Sequence, residues 1–131
     1  MTDPAVRVAD GDDRVAVARL VDGALLDLSH DELRAALDRA DVLVAERDGR
    51  VVGAVVLDGD HVVAVAVRRS RRRSGVGAAL LRAARTREGR LTAAFDPGVR
   101  PFYESLGFAV ERRDGRLFGT WTADDEREGG D

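Results

Sequence analysis

Apolar residues in the first forty positions follow the spacing of one strand and two helices. Residues 5–8 alternate as a short strand does, and the apolar positions of residues 10–28 recur at helical spacing. Ser29, followed three residues later by Glu32, predicts a capping box that opens a second helix. This part of the chain therefore predicts a strand and two consecutive helices.

From residue 41 the apolar spacing changes to that of strands. Runs of β-branched and apolar residues occupy positions 42–46, 51–57 and 61–67, and Asp-Gly pairs between them are typical of tight hairpins. The run at 61–67 is apolar at almost every position, so we expect a strand that is buried on both faces.

The remaining pattern adds two helices and three strands. Two glycines, at positions 75 and 77, open a helix with apolar residues on one side, and residues 91–95 predict the strand after it. A short helix at 99–106 and a hairpin follow, the latter formed by strands at 108–112 and 116–122. In total the chain predicts about seven strands and about four helices, which is an α/β fold of the α+β type.

Length and composition limit the chain to one core. The 131 residues, of which 44% are hydrophobic, suffice for one compact domain without disulfides or a structural metal. We expect that domain to cover residues 1–123, followed by an acidic, disordered tail at 124–131. The chain has no cysteine, and all 21 basic residues are arginine, so thiolate metal sites, thiol nucleophiles and lysine chemistry are excluded.

Three further expectations follow from the same residues. The acidic start Met1-Thr2-Asp3-Pro4 does not resemble a secretory signal, and the longest apolar run, seven residues at 51–57, is shorter than the ~18 that span a membrane. We therefore expect a cytoplasmic protein with no membrane span. Two histidines 31 positions apart predict no metal site, and arginine with an excess of acidic residues predicts a salt-adapted protein.

The basic residues are concentrated in one place. Five arginines lie within residues 68–73, although the net charge of the chain is −3. A dense cationic spot on an otherwise acidic chain favours a small anionic ligand, whereas nucleic acid would favour a broad basic face. The alternative is a solvated loop. Because Gly75 and Gly77 then begin a helix, free backbone N–H groups and the positive end of a helix dipole would lie beside the arginines, as in phosphate sites.

Two motifs carry a resemblance to a known family. Arg72-Arg73-Ser74-Gly75-Val76-Gly77 resembles the Arg/Gln-x-x-Gly-x-Gly/Ala signature of the GNAT-type N-acetyltransferase superfamily, and Phe102-Tyr103-Glu104-Ser105-Leu106-Gly107-Phe108 resembles that family's Phe-Tyr-Glu-x-x-Gly-Phe motif. The motifs occur in the family's order with a predicted strand between them. The likeness covers residues 41–122.

The resemblance implies a mixed, mostly antiparallel, twisted sheet in which the strands at 61–67 and 91–95 splay apart to admit acetyl-CoA. The pantetheine arm would lie along the first of these strands, and the pyrophosphate at the start of the following helix. The residues implied in cofactor binding are Val65, Ala66, Val67, Arg68, Arg71, Arg72, Arg73, Ser74, Gly75, Val76, Gly77, Ala78, Asp96, Phe102 and Tyr103.

Asp96 departs from the family pattern, in which an asparagine is common. An aspartate lacks the amide N–H that contacts the cofactor arm. Asp96 is therefore expected either to make a weaker contact or to serve only as a cap where the strand ends.

Tyr103 is the only tyrosine of the chain and the candidate general acid. A phenol with a pKa of about 10 stays protonated at neutral pH and can donate its proton to a departing thiolate. The resemblance implies this role. The alternative is an aromatic ring that packs in the core with its hydroxyl bonded nearby.

The general base has two candidates. The family often has a glutamate near the start of the buried strand, where this chain has His61, on the same face as the other odd-numbered residues of 61–67 by period two. Imidazole can accept a proton near neutral pH. The alternative is a histidine at a strand edge beside Asp58 and Asp60. Glu46 is the second candidate, with a solvated glutamate near a hairpin as its alternative.

These observations predict an N-acetyltransferase that moves an acetyl group from acetyl-CoA to a primary amine of a small molecule or peptide. The amine would attack directly in a ternary complex, since the chain has no cysteine for an acyl-enzyme. A non-catalytic acyl-CoA-binding or regulatory module would keep the phosphate site without using Tyr103, and a nucleic-acid-binding domain would use the arginine run on phosphates. Family habit implies a monomer or a homodimer.

Overall fold

The structure is a computed structural model, and it describes residues 4–23, 28–68 and 74–122. Three predictions fall wholly or partly outside these ranges: the four arginines at 69 and 71–73, the last turn of the first predicted helix and the tail at 124–131.

The described elements follow the predicted order. They are β1 (Ala5–Val8), α1 (Arg14–Gly23), α2 (His30–Asp38), β2 (Val42–Arg47), β3 (Arg50–Asp58), β4 (His61–Val67), α3 (Val76–Glu88), β5 (Arg90–Phe95), α4 (Arg100–Leu106), β6 (Ala109–Arg113) and β7 (Arg116–Thr122). Short 3₁₀ turns precede α1 and α4. The α-helical part of the first predicted helix begins only at Arg14, because the Asp10 side chain caps the 3₁₀ turn before it.

Local sequence signals account for the ends of several elements. The Ser29 hydroxyl accepts from the Glu32 N–H at 3.1 Å and the Glu32 carboxylate accepts from the Ser29 N–H at 3.1 Å, which confirms the capping box. Both residues of Asp48-Gly49 have positive φ, 56° and 77°, as do both residues of Asp114-Gly115 at 50° and 82°. Two consecutive positive φ angles are what the tightest hairpins require, and Gly supplies the second without strain.

The strands form one seven-stranded sheet in the order β1-β2-β3-β4-β5-β7-β6. Five of its six strand pairs are antiparallel, and β4 and β5 are parallel. The parallel pair requires a crossover connection, which α3 supplies. The mixed, mostly antiparallel sheet with four α-helices is confirmed.

Helices cover the two faces of the sheet unequally. On one face α1 and α2 bury a cluster against β2, β3 and β4 that includes Val17, Val21 and Leu33. On the other face α3 and α4 bury a larger cluster that extends across β2 to β7 and ends at Trp121, which is 2% exposed. No described helix contributes to a core on the first face of β5, β6 and β7.

A register shift between β3 and β4 overturns the expectation that β4 is buried on both faces. Consecutive residues of β3 pair with Ala64 and Val62, so Val63 between them is an extra residue. The shift breaks the two-residue period, since Val62 and Val65 both pack toward α3 while Ala64 packs toward α1. Val63 is 41% exposed. The apolar run therefore forms a strand that is exposed at Val63.

Hydrogen bonds to the Asp41 carboxylate connect three segments of the chain. The side chain is almost buried, and its carboxylate accepts hydrogen bonds from Arg39 at 3.0 Å, the Gly59 N–H at 3.3 Å and Arg87 at 3.1 Å. Burial works to raise the pKa of Asp41, but these donors and the two positive charges outweigh it and lower the pKa below the ordinary value of 3.8.

We expect Asp41→Asn to lower the free energy of unfolding by about 1–2 kcal/mol at neutral pH, because the donors lose an ionised partner. A carboxylate with a lowered folded-state pKa adds stability above its unfolded pKa and loses it as the pH falls through the folded pKa. The difference in unfolding free energy between the wild-type protein and Asp41→Asn should therefore shrink below about pH 4. Urea unfolding at pH 7 and pH 3 measures it. Asp58→Asn is the matched control, since that side chain is 77% exposed.

Candidate functional site

A V-shaped opening separates the two parallel strands. β4 and β5 pair only where His61 meets Thr92, and the Thr92 N–H donates to the Asp60 carbonyl at 2.9 Å at this closed end. Beyond it, residues of both strands line a groove of about 880 Å³. The parallel pair thus ends early, and the sheet opens along the rest of β4.

The groove draws its walls from five elements. It is lined by residues 62–67 of β4, by Gly75, Gly77, Ala78 and Arg82 at α3, by Ala94, Phe95 and Asp96 at β5, by Val99, Phe102, Tyr103, Ser105 and Leu106 at α4, and by Arg116 of β7. Most of these side chains are apolar or small, and the charged ones are Arg82, Arg116 and Asp96. Such a groove suits a long, mostly apolar ligand with an anionic end.

The start of α3 forms one end of the groove. Gly75 is the N-cap with φ 86°, and no side chain caps the helix, so the first N–H groups of α3 have no side-chain partner there. Gly75 faces open space, whereas a Cβ on Gly77 would lie 3.4 Å from Cζ of Phe102. The two glycines therefore differ: Gly75 permits a left-handed turn, whereas a Cβ at Gly77 would only reach van der Waals contact with α4.

The other predicted residues of this loop lie in several environments. Val76 is 1% exposed and packs in the core under α3 rather than in the groove. Arg68 is exposed, and its backbone N–H donates to the Val52 carbonyl at 2.8 Å, which prolongs the β3–β4 ladder. Ser74 is exposed. Arg71, Arg72 and Arg73 lie outside the described residues.

Tyr103 lines the groove within an aromatic cluster. Its ring stacks on Phe95 with a centroid distance of 4.2 Å and an interplanar angle of 8°, and it meets Phe102 and Phe108 edge to face. Burial raises the pKa of the Tyr103 phenol above its ordinary value of 10.0. In the described part of the chain no protein group hydrogen-bonds its hydroxyl. A protonated phenol is thus held on a packed ring that lines the groove.

Asp96 lies where β5 ends. It lines the groove, and as N-cap of the 3₁₀ turn before α4 it makes no side-chain capping hydrogen bond. Asp96 is exposed, and the alternative of a strand-ending cap has no side-chain hydrogen bond to support it.

The two base candidates lie in different parts of the sheet. Nδ1 of His61 lies 2.9 Å from Oγ1 of Thr92, whose strand neighbours Leu91 and Ala93 pack toward α3. By alternation Thr92 and His61 face away from α3, so His61 does not share a face with Val65 as the unbroken period predicted. The register shift at Val63 is the cause.

Glu46 lies two strands away from the opening. It forms an ion pair with Arg7, which also donates to Asp13 at 2.7 Å. Neither His61 nor Glu46 lines the groove. His61, however, immediately precedes Val62, the first groove residue of β4, whereas Glu46 has no neighbour there.

Several groove residues have no motif in the sequence. Arg82 lies one helical turn beyond Ala78, and helical spacing from the glycine motif would have found it. Arg116 carries no comparable signal, because the pairing of β7 with β5 brings it to the groove. Among the described residues no three metal-binding side chains cluster, and none of the helices within them is long and apolar enough to cross a membrane.

Comparison with known proteins adds the family. A family model described as an acetyltransferase (GNAT) domain matches residues 38–110. No relative among curated proteins matches by sequence.

Solved structures resemble the whole described fold. Rv2747 from Mycobacterium tuberculosis, in a complex containing CoA, is 27% identical with a TM-score of 0.69, and the match covers 95% of this chain and 80% of that one. A GCN5-related N-acetyltransferase from Rhodopseudomonas palustris is 21% identical with a TM-score of 0.75 over 93% of this chain and 97% of that one. N-acetylglutamate synthase from Neisseria gonorrhoeae, complexed with coenzyme A and N-acetyl-glutamate, is 17% identical with a TM-score of 0.75 over 93% of this chain and 35% of that one.

Proposed function

The chain belongs to the GNAT acetyltransferase family, and on this premise we propose that it transfers an acetyl group from acetyl-CoA to a primary amine. The observation that carries the proposal is the single groove that runs from the glycine-capped start of α3 to the buried phenol of Tyr103. The start of α3 suits phosphate groups and Tyr103 supplies a proton donor in the same groove, and the transfer of an acetyl group from CoA uses both.

The groove residues fit the parts of acetyl-CoA in order. The free N–H groups around Gly75 and Gly77 and the dipole of α3 would hold the pyrophosphate, with the arginines at 68 and 71–73 supplying positive charge. The apolar side of β4 would hold the pantetheine arm along Val65, Ala66 and Val67. Because β4 runs from its closed end toward α3, the thioester would then lie near the closed end.

Tyr103 is the proposed general acid. The nitrogen of the amine attacks the thioester carbonyl carbon, the carbon–sulfur bond breaks, and the thiolate takes the proton of the Tyr103 hydroxyl. The raised pKa of this buried phenol keeps the proton in place until the sulfur leaves. Stacking on Phe95 fixes the ring, so the hydroxyl needs no large reorientation to reach the sulfur.

His61 is the proposed acceptor of the proton that the amine loses. Its imidazole lies at the closed end of the opening, on the face opposite α3 and α4, and an acceptor would approach over the neighbouring β5, where no described helix buries a core on that face. A water molecule would carry the proton between them. Glu46 is the weaker candidate, since its ion pair with Arg7 already uses its charge. Asp96 would contact the cofactor arm as an acceptor only.

The amine-bearing acceptor is proposed by chemistry class alone. Small molecules and peptides both fit an opening that is bordered by the alanines of β4 and β5 and lies beside an uncovered sheet face. A panel of acceptors should include amino acids, because one resembling structure is an N-acetylglutamate synthase, together with polyamines and peptides with free N-termini. Formation of N-acetylated product with release of CoA identifies the acceptor.

We expect Gly75→Glu to weaken acetyl-CoA binding at least tenfold, because the added carboxylate repels the phosphates where free N–H groups receive them. Isothermal titration calorimetry measures the affinity. Gly49→Glu is the matched control: Gly49 also has a positive φ, 77°, and a Cβ there also meets nothing within 4 Å, but it lies in the β2–β3 turn. The strain of the substitution is thus equal in both variants.

Equal affinity of Gly75→Glu and the wild-type protein would overturn the proposed phosphate site. Tight CoA binding by the wild-type protein without acetylation of any amine in the panel would favour the non-catalytic module.

A further inference from the structure

Three arginines lie on the face of β5, β6 and β7 that no described helix buries. Arg90 and Arg116 each precede a leucine of the core beneath α3 and α4, so alternation places both on the opposite face of the sheet. Arg113 is the cross-strand partner of Arg116 and shares that face. Among these three arginines only Arg116 lines the groove. Arg116 therefore lies where the uncovered sheet face meets the opening between β4 and β5.

The other two arginines of this face have their charge compensated within the chain. Arg90 forms an ion pair with Asp60 at 2.7 Å. Arg113 forms an ion pair with Glu111 of its own strand. The side chain of Arg116 is exposed, and it forms neither an ion pair nor a hydrogen bond with any of the described residues. The positive charge of Arg116 is therefore available to a ligand in the groove.

The register of the β6–β7 hairpin places a second positive charge beside Arg116. Arg113 and Arg116 are direct cross-strand partners, and like charges in directly opposed positions destabilise a sheet. Asp114, in the turn between them, forms an ion pair with neither arginine. The hairpin thus supplies no carboxylate to Arg116, and its charges favour an anion that comes from outside it.

Asp96 limits the charge of that anion. The β5–β7 pairing ends where Phe95 meets Leu117, and continuing this register by one residue places Asp96 beside Arg116. Both residues are exposed and line the groove, yet they form no ion pair with each other. Asp96 would repel a doubly charged phosphate. A molecule with one carboxylate and one ammonium group instead offers a negative charge to Arg116 and a positive charge to Asp96.

The length of β5 limits the distance between those two groups. β4 and β5 pair at Thr92, and the proposed thioester position is near that closed end. Four residues of strand separate Thr92 from Asp96, which corresponds to ~13 Å. An acceptor whose amine reaches the thioester while its carboxylate binds Arg116 therefore has the two groups within about that distance, as amino acids and dipeptides do.

We infer that Arg116 binds the carboxylate of the acceptor, so that the protein acetylates amino acids or dipeptides in preference to amines without a carboxylate. This inference rests on the proposed function and specifies the acceptor class that the proposal leaves open. A carboxylate accepts two parallel N–H bonds from a guanidinium, which fixes its orientation as well as its position. Arg116 is a specificity residue in this scheme and takes no part in proton transfer.

The test compares acceptors that differ only in the carboxylate. The probes are L-amino acids and dipeptides, the corresponding C-terminal amides, and spermidine, each assayed with the full chain at one ionic strength. We expect kcat/KM to be at least about tenfold higher for the acetylated carboxylates than for their amides. Arg116→Ala should raise KM for the carboxylates about tenfold with little change in kcat, and should leave KM for the amides and the affinity for CoA unchanged.

Two further variants control for charge and geometry. Arg112→Ala removes the same charge from an exposed position of the same hairpin, but the cross-strand partner of Arg112 is the core residue Leu117, so Arg112 lies on the other face. It should change neither KM nor the affinity for CoA. Arg116→Lys should recover part of the loss, because lysine keeps the charge without the paired N–H groups.

Each result decides the inference. A rise in KM that is confined to the carboxylates in Arg116→Ala supports it. Equal rates with carboxylates and amides, acetylation of spermidine alone, equal effects of Arg112→Ala and Arg116→Ala, or acetylation of none of the carboxylates overturns it. Calorimetry with CoA distinguishes this failure from that of the proposed function, which fails if the wild-type protein does not bind CoA.

Discussion

Tyr103→Phe is expected to lower kcat by about 10²–10⁴-fold and to leave the affinity for acetyl-CoA unchanged. The substitution removes one hydroxyl and keeps the ring that stacks on Phe95 and meets Phe108 edge to face. Without the phenol, the thiolate must leave unprotonated or take its proton from water. Steady-state rates of CoA release measure kcat, and calorimetry measures the affinity.

The pH dependence of this variant distinguishes an acid from a packing residue. Because burial raises the pKa of Tyr103, the phenol remains protonated throughout the neutral range, and its contribution is lost only as the pH rises above that value. The ratio of wild-type to Tyr103→Phe kcat should therefore stay constant between about pH 7 and about pH 9.

Tyr103→Ala separates the ring from the hydroxyl. It should lower the free energy of unfolding by about 3–5 kcal/mol, since it also removes a buried aromatic ring, whereas Tyr103→Phe should cost much less. Unchanged turnover in Tyr103→Phe would show that another group protonates the sulfur.

Gly53→Ala is expected to lower the free energy of unfolding by about 1–3 kcal/mol and to weaken CoA binding at the same time. A Cβ at Gly53 would lie 2.7 Å from Cγ1 of Val76 and 3.1 Å from Cδ1 of Leu80. Both side chains are fully buried in the core and have little room to rotate, so we expect the substitution to displace α3. Val76 lies between Gly75 and Gly77, and any such movement displaces the proposed phosphate site.

A double-mutant cycle with Val76→Ala tests this mechanism. Val76→Ala alone removes buried methyl groups and should destabilise the protein, but combined with Gly53→Ala it also removes the closest clash. The double variant should therefore be more stable than the sum of the single effects predicts, by about 0.5–3 kcal/mol. Denaturant unfolding gives the four free energies.

Gly11→Ala serves as the control for glycine replacement, because a Cβ at that position meets nothing within 4 Å. Additive effects of Gly53→Ala and Val76→Ala would show that the contact between β3 and α3 does not limit how α3 is placed.

Local chemistry made much of the site predictable. The glycine motif at 75–77 and the tyrosine motif at 102–108 are each a short continuous segment of the chain. Each is recognisable from its residue types and their spacing alone. The capping box at Ser29 and the two Asp-Gly hairpins were predictable for the same reason. Signals of this kind need no knowledge of what packs against them.

Expectations that depended on an unbroken strand period failed. The run 61–67 predicts a strand with two buried faces, but one additional residue at Val63 changes which face each later side chain occupies. The apolar pattern of the sequence cannot reveal such a shift, because the residues on both sides of Val63 in this strand are apolar. The predicted face of His61 was therefore wrong, although the predicted strand is present.

The sequence by itself determined the order of the elements, their caps and turns, and the two motifs of the site, because these depend on contacts between residues close in the chain. Only the tertiary structure decided where β4 and β5 separate, that α3 packs closely over Gly53, and that Arg82 and Arg116 line the groove. Those features depend on strand register and on packing between distant segments, where a displacement of one residue changes which side chains meet.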